Sequence, residues 1–361
     1  MDNFHCFNMR KIIEGFHILN PSLLPNFLVL LGYILVDFIW LRSLPAWGIS
    51  YGSINPTFIL FSILRVGFFV FWVTLQLDLR RFTVNALLLS ILSFWVPNLL
   101  LLGFGMYGFC IEPFELTESH LEIKVQGLNH PVRVIQLSDI HIEHTTKREQ
   151  SLPGFVESLH PDMIVITGDL ISESYVNNPQ TIEALRELVG ILHAPLGVYA
   201  VNGNVETPER LQLMLDGLNV HILKNEVVRI PELGSHFVLV GLNYVEWSFD
   251  REELSVLMGQ TQPGDFTLLL YHKPDLIYAA RDLNVNLYLA GHTHGGQVRL
   301  PFYGSIFTNS RYGKTFEMGL YHVGKTTLFV SRGLGFTGGI APRIRFLAPP
   351  EVVTIDLVPE K

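Results

Sequence analysis

The sequence is poor in cysteine and in charged residues, and it has no excess of basic residues. Only Cys6 and Cys110 occur in 361 residues. Charged residues make up 16%, whereas an ordinary soluble domain has roughly 25%. Because no cysteine follows residue 111, a disulfide framework and a thiolate zinc site are excluded there. The net charge of −8 argues against a nucleic-acid partner, since such proteins carry a basic surface.

The shortage of charge is concentrated in the first third of the chain. Three apolar stretches approach the roughly 20 residues that a helix needs to cross a bilayer: Leu23–Leu41, Phe58–Leu77 and Ala86–Cys110. A cleaved signal peptide has a single, shorter apolar core and does not explain three stretches. We therefore predict an N-terminal flank (1–22), then a membrane region (23–110) of about three transmembrane helices, with the lipid bilayer as a partner. A buried helical core is the alternative.

Two charges fall inside these stretches, Asp37 and Arg65. Charges at membrane depth indicate function by default, but here we favour a structural role, in which the two residues pair or reach the interface. The flanking charges bear on orientation, since basic residues favour the cytoplasmic side. If all three stretches span, Arg10, Lys11, Arg80 and Arg81 share one side, and Arg42 and Lys124 the other. This count places the rest of the chain outside the cytoplasm.

From residue 112 the composition is that of a globular protein, so we predict a linker (111–131) and then a globular domain (132–358). Short β-branched runs predict six strands: Val132–Ser138, Met163–Gly168, Gly197–Asn202, Phe237–Leu242, Phe266–Tyr271 and Val285–Ala290. Helical patterns lie between them, such as Pro179–Leu192 and Thr207–Gly217. This alternation predicts an α/β fold whose site lies beyond the carboxyl ends of the strands.

Metal-ligating side chains follow five of the six predicted strands. They are Asp139, His141, Asp169, Asn204, His272, His292 and His294. Neutral histidine and carboxylate bind Zn, Mn or Fe, and a carboxylate can bridge two ions about 3.5–4 Å apart. Each residue alone fits a turn, a helix cap or a buried polar contact. Together, at the ends of strands in one sheet system, they predict a two-metal site.

These motifs, in this order, resemble those of the calcineurin-like metallophosphoesterases, whose pattern runs D-x-H, G-D, G-N-H-[DE], H, G-H-x-H. The resemblance covers Val132 to Leu357. Ala290–Gly304 and Ser331–Leu357 are similar to the membrane-attached bacterial subgroup. The resemblance implies a metallophosphoesterase domain with a four-layer α/β/β/α sandwich, preceded here by transmembrane helices.

The resemblance also implies roles for the seven residues. Asp139, His141 and His294 would hold one divalent ion, Asp169 would bridge, and the second ion would be held by Asn204, His272 and His292. In that family a hydroxide held by both ions attacks phosphorus, so the implied catalytic residues are Asp139, His141, Asp169, Asn204 and His292. Manganese, iron and zinc all suit these ligands, and we favour manganese.

One residue of the family pattern is missing. The motif G-N-H-[DE] reads Gly203-Asn204-Val205-Glu206, and valine cannot protonate a leaving group as the family's histidine does. Three interpretations follow: a metal-binding membrane module with impaired catalysis, replacement of the histidine by another residue such as His144 or Arg343, or a reaction that needs no acid. General-acid help is worth about 10²–10⁴-fold, and a phosphate leaving group needs it least.

The third interpretation favours a pyrophosphate substrate. In lacking this histidine, the chain resembles the UDP-2,3-diacylglucosamine pyrophosphatases, which act in lipid A biosynthesis and release UMP. A membrane anchor suits their diacylated substrate. We therefore expect this activity at the cytoplasmic face of the cell (inner) membrane, in conflict with the orientation from the charge count. The alternative enzyme is a general membrane phosphodiesterase or lipid phosphatase.

Overall fold

The computed structural model describes residues 23–49, 54–78, 86–234, 236–336 and 343–360. The chain divides after Met106 into two compact units. The predicted flank (1–22) lies outside the described residues, as do Arg10, Lys11, Arg80 and Arg81.

The first unit is helical. Its helices are α1 (Leu23–Ser43), a 3-10 turn (Leu44–Trp47), α2 (Asn55–Asp78), α3 (Ala86–Ser90), a π-helical turn (Ile91–Trp95) and α4 (Val96–Cys110), whose last turn belongs to the second unit. Three helical stretches are long and apolar enough to cross a membrane: Leu23–Trp47, Asn55–Gln76 and Leu88–Phe114. Many of their large apolar side chains are exposed in the protein alone, as expected of helices that face lipid.

The two charges of the apolar stretches form a buried pair, which confirms the predicted pairing. Arg65 donates from Nε to Asp37 Oδ2 at 2.5 Å and from Nη2 to Asp37 Oδ1 at 2.8 Å. Its remaining nitrogen, Nη1, donates to the side-chain and main-chain oxygens of Asn98 at 2.9 and 3.1 Å. This two-pronged geometry is the strong form of an arginine–carboxylate bond, so the pair holds α1 against α2 with no charge left unmatched.

The second unit contains two six-stranded sheets. Its strands are β1 (Thr117–Val125), β2 (Val132–Leu137), β3 (Met163–Thr167), β4 (Val198–Val201), β5 (His221–Ile222), β6 (Glu226–Arg229), β7 (Phe237–Gly241), β8 (Phe266–Leu270), β9 (Leu287–Ala290), β10 (Arg299–Leu300), β11 (Gly304–Ser305), β12 (Gly319–Val323), β13 (Thr326–Val330) and β14 (Glu351–Pro359). The first sheet has the order β1-β14-β2-β3-β4-β5 and the second β12-β13-β9-β8-β7-β6, while β10 and β11 form a separate hairpin. Strands β2 to β5 run parallel, as do β7, β8, β9 and β13.

Helices cover the outer faces of both sheets. They are α5 (Lys147–Ser158), α6 (Pro179–Ile191), α7 (Pro208–Leu215), α8 (Trp247–Met258) and α9 (Ile277–Asp282); short 3-10 turns lie at Glu112–Phe114, Glu173–Tyr175, Pro231–Leu233, Pro274–Leu276, His294–Gly296 and Gly313–Phe316. Side chains alternate along each strand: Val134 faces the other sheet, whereas Ile135 packs with α5 to α7. A third cluster joins the second sheet to α8 and α9. The result is the four-layer α/β/β/α sandwich, and the predicted fold class is confirmed.

Capping side chains start the three helices on the first sheet. Thr146 and Glu149 form a capping box before α5. Asn178 accepts hydrogen bonds from the main chain at the start of α6, where Pro179 is the first helical residue. Thr207 caps α7 in the same way. Such caps satisfy the free N–H groups at the start of a helix. Each helix therefore begins at a defined residue, which is also where the loop from the preceding strand ends.

The predicted linker needs correction. Residues 117–125 are strand β1, which pairs in parallel with β14 along its whole length. Of its nine residues only Leu121 and Val125 are buried, and the others are exposed or partly buried, so the segment carries a weaker hydrophobic signal than the central strands. Its partner strand lies more than 200 residues away in the sequence, at Glu351–Pro359, which no local pattern indicates.

Candidate metal centre

The site lies where the carboxyl ends of β2, β3, β4, β8 and β9 come together. Main-chain hydrogen bonds join the loops that follow these strands: Asp139 N to Gly168 O at 3.0 Å, and His141 N to Asp169 O at 3.0 Å. The two sheets are also joined, because His292 N donates to the Asp139 carboxylate at 3.0 Å. The seven residues predicted from the sequence meet here.

Asp139, His141 and His294 form the first of two groups that can hold a metal ion. All three are buried, and their ligand atoms lie within 4.8 Å of one another. The Nε2 atoms of the two histidines are 3.2 Å apart, and His294 Nε2 is 3.5 Å from Asp139 Oδ1. The Nδ1 atoms of both histidines have no hydrogen-bond partner among the described residues. Two neutral rings that point their Nε2 atoms at one spot beside a carboxylate fit a shared cation.

Asp169, His272 and His292 form the second group, again buried and within 4.8 Å. His292 Nδ1 lies 3.1 Å from His272 Nε2, and Asn204 Oδ1 lies 3.2 Å from the same His272 atom. The amide oxygen of Asn204 is therefore in place as a further ligand, although its residue is exposed on one side.

Asp169 connects the two groups. Its Oδ2 atom lies 3.4 Å from His141 Nε2 and 3.3 Å from His272 Nε2. One carboxylate oxygen thus stands between a histidine of each group, the position that a bridging ligand of two ions requires. Its other oxygen, Oδ1, accepts from Val205 N at 2.9 Å, which fixes the carboxylate plane.

Carbonyl groups set the ring tautomers of the second group. Thr167 O lies 2.8 Å from His272 Nδ1, and Asn309 O lies 2.9 Å from His292 Nε2. A carbonyl oxygen only accepts, so each of these nitrogens carries the proton. The opposite nitrogens, His272 Nε2 and His292 Nδ1, are thereby left as metal ligands, in the arrangement that orients metal-bound imidazoles generally.

Burial and mutual charge perturb the titration of the ligands. Burial lowers the pKa of His141 to about 4, and it lowers the pKa values of His292 and His294 as well. Burial also lowers the pKa of His272, but the Asp169 carboxylate outweighs it and raises that pKa to about 9. The rings of His141, His292 and His294 are thus neutral at pH 7. The protonated His272 ring competes with a metal cation for the Asp169 carboxylate.

The ligand backbones are strained. Asp139, His141, Asp169, His292 and His294 all have positive φ values, between 43° and 70°, a region that residues other than glycine rarely adopt. Such strain is typical of functional sites, where the surrounding structure holds it.

Two glycines of the motifs are required by close packing. A Cβ at Gly203 would lie 2.0 Å from Asp169 Oδ1, and a Cβ at Gly291 would lie 2.2 Å from Asp139 Oδ2. Both distances are far below contact. The G-N and G-H motifs therefore need glycine, because a side chain at Gly203 would overlap the Asp169 carboxylate and one at Gly291 the Asp139 carboxylate.

The structure shows what stands at the position of the missing histidine. Val205 is partly buried against the apolar cluster of the first sheet and its helices. Because the side chain is aliphatic, it offers neither a proton nor a hydrogen bond. His144 is exposed. Arg343 is buried and paired with Glu143, and it also donates to Ser174. The charge of Arg343 contributes, after burial and alongside other charges, to the lowered pKa of His141.

Three supporting features were missed by the sequence reasoning. Glu206 accepts from Leu170 N and Gly203 N, so it ties together the loops that carry the bridging and amide ligands. Burial and the charge of Asp169 raise the pKa of Glu206 to about 8. The family pattern contains an acid at this position, which was the available signal.

The second feature is the loop at Gly333 and Gly335. Gly335 N donates to Asp139 O at 2.6 Å, and a Cβ at Gly335 would lie 2.7 Å from His141 Cβ. The fully buried Arg345 donates to the carbonyls of both glycines. The loop therefore supports the strained first-group ligands, and no local sequence pattern indicates that contact.

The third feature is a cation beside the second group. Lys273 follows His272, and its Nζ lies 3.2 Å from the Tyr244 hydroxyl and 4.4 Å from the centre of that ring. After burial and His272, the charge of Lys273 contributes to the lowered pKa of His292. A positive charge at this edge favours an anionic substrate.

Two sheets between helices, with two carboxylate–histidine groups joined by one aspartate at the strand ends, define a dinuclear-metal phosphoester hydrolase. The comparisons agree. The model of the calcineurin-like phosphoesterase family matches residues 132–296. The metallophosphoesterase YkuE of Bacillus subtilis is 31% identical over 268 residues, which cover 70% of this chain and 90% of that protein. The chain belongs to the calcineurin-like phosphoesterase family and is a metal-dependent phosphoester hydrolase.

Two other relatives extend the comparison. The metallophosphoesterase Cj0846 of Campylobacter jejuni is 29% identical over 322 residues, covering 85% of this chain and 80% of that protein. The UDP-2,3-diacylglucosamine pyrophosphatase LpxG of Chlamydia trachomatis is 27% identical over 281 residues, covering 62% of this chain and 82% of that protein. The family and the two ligand groups indicate two divalent ions.

Proposed function

We propose that the chain is a membrane-bound pyrophosphatase of a nucleotide-linked lipid, with UDP-2,3-diacylglucosamine as the substrate. Water adds to one phosphorus, the P–O–P bond breaks, and the products are UMP and an acylated sugar phosphate. The observation that carries this proposal is Val205, an apolar side chain beside a complete ligand set. A leaving group that departs as a phosphate needs no proton donor at that position. The similarity to LpxG supports the same substrate.

The residues of the chain divide the work. Asp139, His141 and His294 would hold one ion, Asn204, His272 and His292 the other, and Asp169 both, with manganese as our proposed metal. When bound, the two ions would stabilise the charge that develops on the phosphoryl oxygens. Lys273 adds a positive charge that attracts the pyrophosphate. Ser138 donates to Asp139 Oδ2 at 2.5 Å, which orients that carboxylate and opposes the burial that raises its pKa to about 6.

The proposed place of action is the cell (inner) membrane, with a multi-pass anchor and the catalytic domain on the cytoplasmic face. The three membrane-length helices support the anchor. A UDP-linked lipid is a cytosolic substrate, which supports that face. The proposal assigns the protein a step in lipid A biosynthesis.

The test is product analysis with the full chain. The purified protein in detergent with Mn²⁺ is offered UDP-2,3-diacylglucosamine and, separately, bis-p-nitrophenyl phosphate. We expect UMP release, with loss of that activity in Asp169→Asn and full activity in the matched control Asp282→Asn, whose side chain is on the surface. Cleavage of the diester without UMP release would replace the proposal with a general membrane phosphodiesterase. Two bound ions with neither product would make the chain a binding module.

A further inference from the structure

Exposed aromatic and aliphatic side chains cluster on one hairpin of the second unit. We call residues 300–307, which include β11 and the tip between β10 and β11, the apolar hairpin. Its most exposed large side chains are Leu300, Phe302, Tyr303, Ile306 and Phe307, with Phe302 fully exposed and Phe307 72% exposed. Soluble proteins usually scatter such residues singly, and a contiguous patch marks an interaction site.

The apolar hairpin is held firmly in this position. Glu317 accepts from Arg299 Nη2 at 2.9 Å and also from the Ser305 hydroxyl. Lys314 Nζ donates to Tyr303 O at 2.5 Å. These bonds tie both strands and the tip of the hairpin to Lys314 and Glu317.

The base of the apolar hairpin adjoins the place where the last apolar helix ends. Arg299 N donates to Phe346 O, and the Phe346 ring lies 5.9 Å from the Tyr107 ring in the last turn of α4. The next residue, Leu347, donates from its N–H to Glu112 Oε2 at 2.9 Å. Leu347 also lines a pocket of about 430 Å³ together with the hairpin tip. The patch therefore adjoins the end of the third helical stretch that is long enough to cross a membrane.

A basic side chain borders the apolar hairpin. The ammonium group of Lys314 lies 3.6 Å from the centre of the Tyr303 ring, and Lys314 is exposed. Aromatic side chains with adjacent basic residues are typical of segments that lie in the interface of an anionic bilayer.

The metal centre is close to the same hairpin. Arg299 Nη1 donates to Gly295 O at 2.8 Å, directly after His294. A Cβ at Gly296 would lie 2.1 Å from Ser305 Cβ. The loop that carries His292 and His294 therefore packs against the apolar hairpin. A surface that binds the hairpin would also fix its own distance from the metal centre.

We infer that the apolar hairpin inserts into the interface of a bilayer that contains anionic lipid. Phe302, Phe307 and their neighbours enter the acyl region, while Lys314 stays at the phosphate groups. The metal centre is thereby held at headgroup level, where the phosphorus of a membrane lipid lies. This inference concerns the bilayer contact and holds whichever phosphorus–oxygen bond is cleaved.

Site-directed fluorescence tests the insertion. A full-length Cys6→Ser/Cys110→Ser variant carries either Phe302→Cys or the control Leu213→Cys, whose residue is 77% exposed on α7. Each is labelled with NBD and placed in nanodiscs of phosphatidylcholine and phosphatidylglycerol with or without doxyl-labelled acyl chains. We expect blue-shifted emission and strong doxyl quenching at position 302 only. Emission from 302 that matches 213, or a shift that depends on protein concentration rather than on doxyl lipid, would overturn the inference.

A turnover comparison separates the hairpin from the chemistry. Phe302→Ser/Phe307→Ser should lower the rate on a lipid substrate in nanodiscs severalfold and leave the rate on soluble bis-p-nitrophenyl phosphate unchanged. The matched control is Leu213→Ser/Val256→Ser, which removes two exposed apolar side chains elsewhere. Equal loss on both substrates would assign the hairpin to the metal centre and contradict a membrane role. If no lipid substrate is turned over, the proposed function fails, while the fluorescence result still decides the insertion.

Discussion

Asp169 holds its place between two histidines through three constraints that act on one residue. Its backbone has a φ of 54°, it follows Gly168, and its carboxylate fits only because residue 203 is glycine. The N–H of Val205 then orients the carboxylate. Gly168 of the G-D motif and Gly203 of the G-N motif thus pack against each other and against Asp169. This packing explains why a glycine precedes each of the ligands Asp169 and Asn204.

At the same scale, we propose that the side chain of Val205 sets the preferred leaving group. Val205→His should raise turnover of a diester with an alkoxide leaving group, such as glycerophosphoethanolamine, by roughly tenfold or more, because a general acid is worth about 10²–10⁴-fold there. Turnover of UDP-2,3-diacylglucosamine should change little. Steady-state kinetics of both substrates measure the effect. Val205→Gln is the control, since it has a polar side chain without a transferable proton; an equal gain in both variants would contradict the argument.

The convergence of the seven candidate metal ligands could be predicted from the sequence, whereas the residues that support them could not. Each ligand directly follows a predicted strand, so local patterns and the parallel arrangement bring all seven together. Arg345 acts through carbonyls of a loop ten or more residues away, and Lys273 acts through Tyr244. Such contacts depend on how separate loops pack, which spacing alone does not encode.

At the scale of elements, the first sheet is closed on one side by strands from opposite ends of the domain. Strand β1 pairs with β14, and β14 runs antiparallel to β2. Asp356 of β14 accepts from Arg133 Nε of β2 at 2.8 Å and lies 2.8 Å from His120 Nε2 of β1. One carboxylate thus links three neighbouring strands.

This carboxylate predicts a pH dependence of stability. The hydrogen bond from Arg133 lowers the pKa of Asp356, against burial and with further help from His120. Because the pKa is lower in the folded state, the ionised group stabilises the fold above its ordinary pKa of about 4. That contribution is lost as the pH falls through the folded value. Thermal unfolding should show Asp356→Asn less stable than the natural chain at pH 7, with the gap closing in acid; a constant gap would contradict this account.

Six of the twelve strands in the two sheets, β2, β3, β4, β7, β8 and β9, could be predicted, because β-branched runs that are buried on both faces carry a strong signal. Strand β1 falls in the predicted linker, and strands β5, β6 and β12 to β14 and the hairpin β10–β11 lie beyond the predicted set. Strands β5, β10 and β11 have only two residues each, and β14 is placed in its sheet only by its partners β1 and β2, which are distant in the sequence.

The Asp37–Arg65 pair gives a prediction for the helical elements. Removing one partner of a buried pair leaves an unmatched charge, which costs about 3–5 kcal/mol. Asp37→Leu should therefore lower the melting temperature of the full chain in detergent more than Asp37→Leu/Arg65→Met does. Hydrolase activity per folded molecule should be retained in the double variant. Loss of activity there, with folding intact, would show that the pair takes part in function instead.

At the scale of the whole molecule, the face of the membrane decides between substrates. A UDP-linked lipid requires the catalytic domain in the cytoplasm, whereas the count of basic residues favours the opposite side. We predict that green fluorescent protein fused after Lys361 fluoresces and that alkaline phosphatase fused there is inactive. The reverse pattern would exclude a cytosolic substrate and favour a phosphodiesterase or lipid phosphatase on the outer face.

The most direct measurement is the number of metal ions in the purified chain. After loading with Mn²⁺ and removal of free metal, mass spectrometry of the ions should find two per chain. The variant Asp169→Asn should hold at most one, because the bridging oxygen that lies 3.4 and 3.3 Å from the two histidines is weakened as a ligand. The control Asp282→Asn should still hold two. One ion in the natural chain, or two in Asp169→Asn, would contradict the two-metal centre.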